Sequence, residues 1–429
     1  MSNSTRILMS LVAGVLAGTI FASLGAPFLP RMLIFADAVG KLWFDALRMT
    51  IVPLIFALVV NGVASAAGVA SMGRLAGRAL LWFTLLLAAS AVVSAILTPF
   101  LLTFWPPPAS AAKALGALVP PNAAIAPQSV SLADWLGTLI PVNPVSAAAN
   151  GAILQIVLFG LAFGFSAMQI GKDERIQLVG LFRGIGDTML VIVHWVLWAA
   201  PVGVFFLALA VGARTGFGAA GILAHYIVVI STVCLTVMLL AYPLAVIGGR
   251  VAFARFCRAA APSQMVAIST QSSLASLPAM IEGAQDSLGI PPGVAGLVLP
   301  MAVAIFRASS PAANLAVAIY LAHVSGIPLS IGTLAAGSAT AVAISLAGVG
   351  VASSVTFFST ISPICLVMGV PLDLLPLLIA VETIPDIFRT VATTTTDLAL
   401  TSVLAVRYRN DGSTSPAGNH EKALNAGVS

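Results

Sequence analysis

Long apolar runs, separated by short clusters of charge, proline and glycine, dominate the pattern of hydrophobic and polar positions along this chain. A run such as Ala79 to Leu102 does not alternate apolar and polar residues, as the ~10-residue strands of a membrane barrel do. Most of the runs reach the ~20 residues that a membrane-spanning helix needs. The pattern therefore predicts an all-α membrane protein with eight continuous spans, near residues 7–29, 41–68, 77–104, 150–170, 181–212, 218–248, 293–323 and 373–406.

Two further apolar segments, 259–291 and 330–369, contain interior clusters of serine, proline and glycine. Unwound backbone at membrane depth is tolerated only where it is buried in protein or lines a cavity. Interrupted segments of this kind are a sequence pointer to the binding site of a secondary transporter. We therefore expect both segments to be re-entrant.

The composition is also that of a membrane protein. Apolar residues make up 59% of the 429 residues and charged residues 8%, against about 25% charged residues in soluble domains. The net charge of +5 is carried by basic residues scattered beside the spans, which is typical of topology signals and not of a nucleic-acid site. Three widely separated cysteines provide neither a disulfide framework nor metal-ligand spacing.

The lysines and arginines predict the orientation in the membrane. With both termini cytoplasmic, most of the 19 basic residues lie in inside loops, and the outside loops hold only Arg31, Lys41, Lys113 and Arg214. This is the bias that the positive-inside rule describes. We expect a multi-pass protein of the cell inner membrane, whose polar residues 410–429 form a disordered cytoplasmic tail.

The last span contains a cluster of polar side chains. Ionisable groups inside a span cost ~2.5–3.5 kcal/mol each on insertion scales and are functional candidates for that reason. Their spacing of three and four residues places them on one stripe of a helix, on which Arg389 can clamp a carboxylate with two hydrogen bonds. The alternative is a set of ion pairs that fixes helix packing. The stripe consists of Glu382, Asp386, Arg389, Thr390, Thr393 and Asp397.

The first broken segment has a hydroxyl-dense tip, Ser269-Thr-Gln-Ser-Ser-Leu-Ala-Ser-Leu-Pro278. Backbone amides and hydroxyls at such a tip can receive a carboxylate. A polar loop in contact with water is the alternative interpretation.

Three motifs in this order resemble the dicarboxylate/amino acid:cation symporter family, which includes the glutamate transporters: Leu47–Phe56, the serine-rich hairpin ending in Leu277-Pro278, and Asp386-x-x-Arg389-Thr390. The resemblance covers nearly the whole chain. It implies a glutamate-transporter-like elevator fold, with eight transmembrane helices, two re-entrant helical hairpins and a homotrimer.

The same resemblance implies how the chain is divided. Residues 1–409 would form one transporter unit. Its scaffold would comprise about 7–68 and 150–248, and its moving transport part about 77–104 and 259–406.

The resemblance also implies a substrate site. Arg389 matches the arginine that binds the side-chain carboxylate of acidic substrates, and Asp386 matches the aspartate that receives the amino group. Because dicarboxylate-carrying relatives tend to have serine at the second position, Asp386 favours aspartate or glutamate over succinate or malate. The other substrate-binding candidates are Thr390, Thr393, Ser272 and Ser273, with Gly350, Val351 and Ser353 at the tip of the second hairpin.

The sequence departs from the family where sodium ligands are expected. The family's Asn-Met-Asp-Gly-Thr is replaced by Phe306-Arg-Ala-Ser-Ser310, and Phe83, Leu86 and Leu87 stand where hydroxyl residues help a sodium site. Hard cations need oxygen donors. We therefore expect no metal site of the usual kind and altered or absent sodium coupling.

Arg307 suggests how the site tolerates this loss. One hypothesis places its guanidinium near Asp397 or Glu382 as a permanent substitute for a bound cation. Ser310 is assigned to the same coupling group, and Glu382 or Asp386 is a candidate proton carrier. Alternatively, Arg307 extends to the aqueous edge or contacts the substrate.

The function that these observations favour is secondary transport of small anionic solutes, namely aspartate, glutamate or related dicarboxylates, with H⁺ or Na⁺ as coupling cation and no cofactor. The alternatives are a sodium-independent or proton-coupled carrier of C4-dicarboxylates and a transport-dead substrate sensor. An enzyme is not expected, because His194, His225 and His323 lie on separate spans without a catalytic motif.

Overall fold

The computed structural model describes residues 3–70, 74–107, 140–150, 152–216, 218–347 and 353–412. Within those ranges the chain is helical, with short turns and no strand. The helices are α1 (Asn3–Ser23), α2 (Leu29–Arg48), α3 (Ile51–Ala70), α4 (Arg74–Phe104), α5 (Pro144–Ala149), α6 (Ile153–Ala167), α7 (Lys172–Trp198), α8 (Ala200–Thr215), α9 (Gly218–Pro243), α10 (Phe253–Thr270), α11 (Ser273–Glu282), α12 (Pro292–Ile305), α13 (Ser310–Val324), α14 (Ile331–Ala347), α15 (Ser353–Val367), α16 (Leu375–Leu378) and α17 (Thr383–Gly412). Single π-helical turns, Leu244–Gly248 and Gly283–Ser287, extend α9 and α11.

The all-α class and the multiple apolar helices that the sequence predicts are confirmed. Five described segments are long and apolar enough to cross a membrane: Thr5–Ser23, Leu29–Ala64, Leu75–Phe104, Lys172–Trp198 and Ala220–Gly248. Most of the remaining apolar helices are shorter, because breaks in the backbone divide the apolar runs in which they lie.

Four predicted spans differ from the structure. The spans expected at 293–323 and 373–406 are each divided, the first between α12 and α13 and the second between α16 and α17. The span expected at 41–68 is preceded by α2, which begins at Leu29 and carries five charged residues. Because of these charges, the pattern before residue 41 indicated a loop. The span expected at 181–212 consists of two helices that meet at Ala199, where Pro201 opens the first turn of α8. The first three residues of the tail expected to be disordered, 410–412, belong to α17, and the rest of that tail lies outside the described residues.

Helix α1 packs directly on the backbone of α8. A Cβ atom on Gly14 or Gly18 would overlap the carbonyl oxygen of Phe205 or Leu209, so only glycine fits at these two positions. The hydroxyl of Thr19 adds a 3.2 Å hydrogen bond to the carbonyl of Gly212. Small residues spaced by four bring helix backbones together in this way inside membranes.

Two apolar cores hold the helices together. The first combines buried side chains of α1–α3 and α6–α8 with the second half of α4, most of α9, and α13–α16. The second combines the first half of α4 with α10–α12 and the second half of α17. Helix α9 contributes to both cores and packs mainly along α17.

The first broken segment is a helical hairpin, as expected. Helices α10 and α11 pack against each other and against α17. Gln271 joins them in a left-handed conformation (φ 53°), and the hydroxyl of Ser272 caps α11 by accepting a hydrogen bond from the Ala275 amide. In the second broken segment α14 and α15 also pack together, on either side of residues 348–352, which lie outside the described residues.

Polar contacts at the helix ends agree with the predicted sides of the membrane. Arg214, predicted outside, forms a 2.6 Å salt bridge with Asp37, which lies between two other residues predicted outside. Arg407, predicted inside, stacks over the ring of Trp82 near the start of α4, with 4.3 Å between guanidinium carbon and ring centre. The absolute orientation stays a prediction.

Candidate functional site

The predicted polar stripe of the last span is buried in the protein. Glu382 immediately precedes α17, and the other five residues lie along it. Each of the six is at most 5% exposed. Because α17 packs against α9, α10, α12 and α13, this stripe faces protein and not lipid.

Arg389 is the centre of the charged cluster. Its Nη2 donates a hydrogen bond to Oε1 of Glu382, and its Nη1 lies 3.7 Å from Oδ1 of Asp386. The Nε of Arg389 and the Oδ1 of Asp386 have no hydrogen-bond partner among the described residues. The cluster therefore keeps one donor and one acceptor unused.

Tyr226 of α9 completes this cluster, although the sequence analysis did not select it. Its hydroxyl donates a 2.6 Å hydrogen bond to Oε2 of Glu382. Both oxygens of Glu382 are thus occupied, one by a guanidinium and one by a phenol. A tyrosine inside an apolar run gave no sequence signal, because its partner lies more than 150 positions away in the chain.

The threonines of the stripe are held by the backbone and by Ser309, a second residue that the sequence analysis missed. The hydroxyl of Thr390 bonds to the carbonyl of Asp386 at 2.9 Å. Ser309, between α12 and α13, donates to the carbonyl of Arg389 at 2.8 Å and lies 2.7 Å from the hydroxyl of Thr393. Through this hydrogen bond, the break between α12 and α13 contacts the turn of α17 that contains Arg389.

The hairpin candidates lie at their predicted tip. Ser272 and Ser273 are partly buried where α10 ends and α11 begins, and Gln264 of α10 bonds to Thr395 of α17 at 2.9 Å. Of the second hairpin's candidates, Gly350 and Val351 fall outside the described residues, and Ser353 is the first residue of α15.

An aromatic stack occupies the region where the family resemblance implies sodium ligands. The rings of Phe83 and Phe306 are parallel, with centres 4.6 Å apart, and both are fully buried. Leu87 is also fully buried, and Ala308 lines a small cavity whose other walls are mostly apolar side chains of α4 and α9, together with Ser90 and Thr396. These four described side chains, of Phe83, Phe306, Leu87 and Ala308, carry no oxygen atoms, and altered or absent sodium coupling stays a prediction.

Asp397 lies isolated on α17. It is 0% exposed, and neither carboxylate oxygen has a hydrogen-bond partner among the described residues. Asp386 and Arg389 are among the charges that act on Arg307, which places a second guanidinium near the Arg389 cluster. The hypothesis that Arg307 substitutes for a bound cation near Asp397 or Glu382 stays a prediction. Ser310 is buried at the start of α13.

Comparison with known proteins agrees with this arrangement. The model of the sodium:dicarboxylate symporter family matches residues 4–406. The proton/glutamate-aspartate symporter of Escherichia coli is 27% identical over 403 residues, which cover 90% of this chain and 88% of that protein. The C4-dicarboxylate transport protein of Azorhizobium caulinodans is 27% identical over 333 residues, covering 76% and 71%. The buried arginine on the last helix, the hairpin packed beside it and the match over nearly all of the sequence lead to one conclusion: the chain belongs to the sodium:dicarboxylate symporter family.

Proposed function

We propose that this protein is a secondary active transporter of acidic amino acids, or of related C4-dicarboxylates, in the cell inner membrane. The proposal rests on the Nε of Arg389 and the Oδ1 of Asp386, the donor and the acceptor that have no hydrogen-bond partner among the described residues. Both atoms are buried; when the site opens, the Nε of Arg389 can bond to a carboxylate and the Oδ1 of Asp386 to an ammonium group. An acidic amino acid supplies both groups, so aspartate or glutamate complements the cluster better than succinate does.

Glu382 holds the place of a substrate carboxylate in this arrangement. It occupies Nη2 of Arg389, which a bidentate carboxylate ligand also needs. Binding would therefore exchange Glu382 for substrate, with Tyr226 retaining the displaced carboxylate. Thr390 and Thr393 flank the arginine on the same helix, and we assign Ser272 and Ser273, at the tip of the hairpin that packs on this helix, to the same site.

Transport is proposed to be independent of sodium. Phe83 and Phe306 fill with stacked rings the space that oxygen ligands need, and Na⁺ requires such ligands. The relative in Escherichia coli is named a proton symporter, which supports H⁺ as the coupling ion.

The family architecture is proposed for the assembly: eight spans, two re-entrant hairpins, a homotrimer and an elevator movement. The packing supports a change in the boundary of the moving part. Helix α9 contacts α17, α13 and α4 far more extensively than it contacts α8. We therefore place α9 with the transport part, and limit the second scaffold segment to about residues 150–215.

The experiment that tests this proposal is uptake of radiolabelled aspartate, glutamate and succinate into proteoliposomes. Inward sodium and proton gradients are imposed separately, with choline replacing sodium in the controls. Uptake of an acidic amino acid that persists in choline and increases with a proton gradient is the expected result. Uptake driven by sodium would refute the interpretation of the Phe83–Phe306 stack. Substrate binding without flux would identify a sensor of the same fold instead of a carrier.

A further inference from the structure

His225 lies in a polar pocket that the proposed substrate site does not use. Its side chain is 3% exposed, on α9, where α4 ends and α13 passes. Nε2 is 2.9 Å from the carbonyl oxygen of Trp105, and Nδ1 is 3.0 Å from the hydroxyl oxygen of Tyr320. Both ring nitrogens therefore have an oxygen partner in the protein interior.

The partners of His225 are arranged to accept from a doubly protonated ring. A carbonyl oxygen only accepts, so the contact with Trp105 requires a hydrogen on Nε2. The hydroxyl of Tyr320 also lies 3.0 Å from the carbonyl of Ile222, to which it donates its single hydrogen. With that hydrogen used, the contact between Nδ1 and Tyr320 is one in which Nδ1 donates, which is the arrangement that suits a doubly protonated ring.

The neutral ring fits the same pocket after one small change. If the Tyr320 hydroxyl rotates, it donates to Nδ1 and gives up its bond to Ile222. Gain or loss of a proton at His225 thus requires only rotation of one hydroxyl, with the Nε2 bond to Trp105 kept in both forms.

Direct contacts connect this pocket to the substrate cluster. The ring of Tyr320 packs edge-on against the ring of Tyr226, with centres 5.3 Å apart, and Tyr226 bonds to Glu382. At the other end, the Trp105 ring packs against His225 with centres 4.5 Å apart and is half exposed. A chain of packed groups therefore runs from an accessible end of α4 to the partner of Arg389.

The charged and titratable groups around His225 come from three helices. Helix α13 contributes Tyr320 and His323. Glu382, just before α17, lies beyond Tyr226, with Asp386 and Arg389 of α17 behind it. The residue that follows α4, Trp105, contributes its indole and carbonyl, and Arg214 of the adjacent α8 is already paired with Asp37. In the described part of the chain no carboxylate forms a hydrogen bond with His225.

We infer that His225 is a proton-binding site coupled to the substrate site, an inference that rests on the proposed transport function. A proton at Nδ1 adds positive charge to the core that receives an anionic substrate. Proton and substrate then bind with positive cooperativity, and by thermodynamic linkage each raises the affinity for the other. Such cooperativity is what co-transport of a proton with an anion requires.

The test is the pH dependence of the apparent KM for uptake in proteoliposomes, for the wild-type protein and His225→Gln. External pH is varied between about 5 and about 8, the range over which an unperturbed imidazole changes charge. We expect the wild-type KM to fall by about 5-fold or more as the pH is lowered, the lower end of typical coupling between sites, and the variant to lose most of this change. Tyr320→Phe, which removes the acceptor for Nδ1, should reduce the change in the same direction.

His194→Gln is the matched control. His194 is exposed, and its ring contacts only the carbonyl of Leu190 in its own helix, so this variant should keep the wild-type profile. A wild-type profile in folded His225→Gln would overturn the inference while leaving the transport proposal intact. If His225→Gln does not fold, a wild-type profile in Tyr320→Phe overturns it equally. Absence of any uptake by the wild-type protein would overturn the proposed function, and this inference with it.

Discussion

The two ends of the polar stripe differ in the hydrogen bonds that they provide to a buried carboxylate. Near the start of the helix, Glu382 has a partner for each carboxylate oxygen, and Asp386 lies beside Arg389. About three helical turns further along, Asp397 is equally buried, but neither of its oxygens has a hydrogen-bond partner in the described ranges.

This contrast shows which chemistry the protein has retained. At the first end the charges are balanced by the protein itself, and a matching donor and acceptor remain for a ligand. At the second end one buried carboxylate has no hydrogen-bond partner in the described ranges. The aromatic pair Phe83–Phe306, on α4 and at the end of α12, stands where the family resemblance implies polar side chains.

Replacing Arg389 should have the largest effect. Arg389→Ala removes the proposed clamp and leaves Glu382 as a buried carboxylate without its paired guanidinium, a change that typically costs about 3–5 kcal/mol. We expect uptake of radiolabelled aspartate to fall by at least about 100-fold. Arg214→Ala is the control, because its exposed pair with Asp37 contributes at most about 1 kcal/mol. Equal uptake by the two variants would refute the role of Arg389.

Truncating the Phe83–Phe306 stack tests the packing of the region where the family resemblance implies sodium ligands. Phe306→Ala should lower the free energy of unfolding by roughly 3–5 kcal/mol, since it leaves a cavity in a fully packed core. Phe83→Ala should lower the free energy of unfolding less in the Phe306→Ala protein than in the wild-type protein, because its stacking partner is already lost. Denaturant unfolding of the three variants in detergent measures this coupling. Strict additivity would show that the rings do not support each other.

The same chemical change at the two ends gives the sharpest comparison. Glu382→Gln weakens two hydrogen bonds that involve a charged group, each worth about 1.5–3 kcal/mol, and should lower the melting temperature. Asp397→Asn removes a buried carboxylate that has no described partner, and should leave the melting temperature equal or higher. The comparison would collapse if Asp397→Asn proved the more destabilising of the two.

The smallest effect is expected at Tyr226. Tyr226→Phe removes one hydrogen bond to Glu382, worth about 1.5 kcal/mol, while the ring keeps its contact with Tyr320. The freed carboxylate should compete more strongly with substrate for Arg389, so the KM for uptake should rise by about 10-fold. The free energy of unfolding should fall by no more than the value of the lost bond. Tyr408→Phe on the exposed end of α17 serves as control and should leave KM unchanged.

Much of the architecture could be predicted because it follows from local pattern. The apolar runs, the interruption at Gln271–Ser272 and the spacing of the stripe are all properties of neighbouring residues. Helix α2 was missed for the same reason: its charges suggested a loop, although they lie on exposed positions of a helix whose other face is buried.

What could not be predicted depends on partners that are distant in the sequence. Nothing near Tyr226 or Ser309 indicates that one would meet Glu382 and the other would bond to the carbonyl of Arg389. The position of Arg307 was predicted from charge balance alone, which identifies a need for compensation without identifying the recipient. Asp386 and Arg389, which lie far from Arg307 in the sequence, are among the charges that act on it.

The Phe83–Phe306 stack has an evolutionary consequence. A single change of either ring to an amide or hydroxyl would place a polar group against an aromatic face in a sealed core, without the second oxygen donor that a cation requires. Neither single step yields a working ion site, and each weakens the packing. Related proteins should therefore rarely change between aromatic and oxygen-bearing residues at positions 83 and 306, and where they do, both positions should change together.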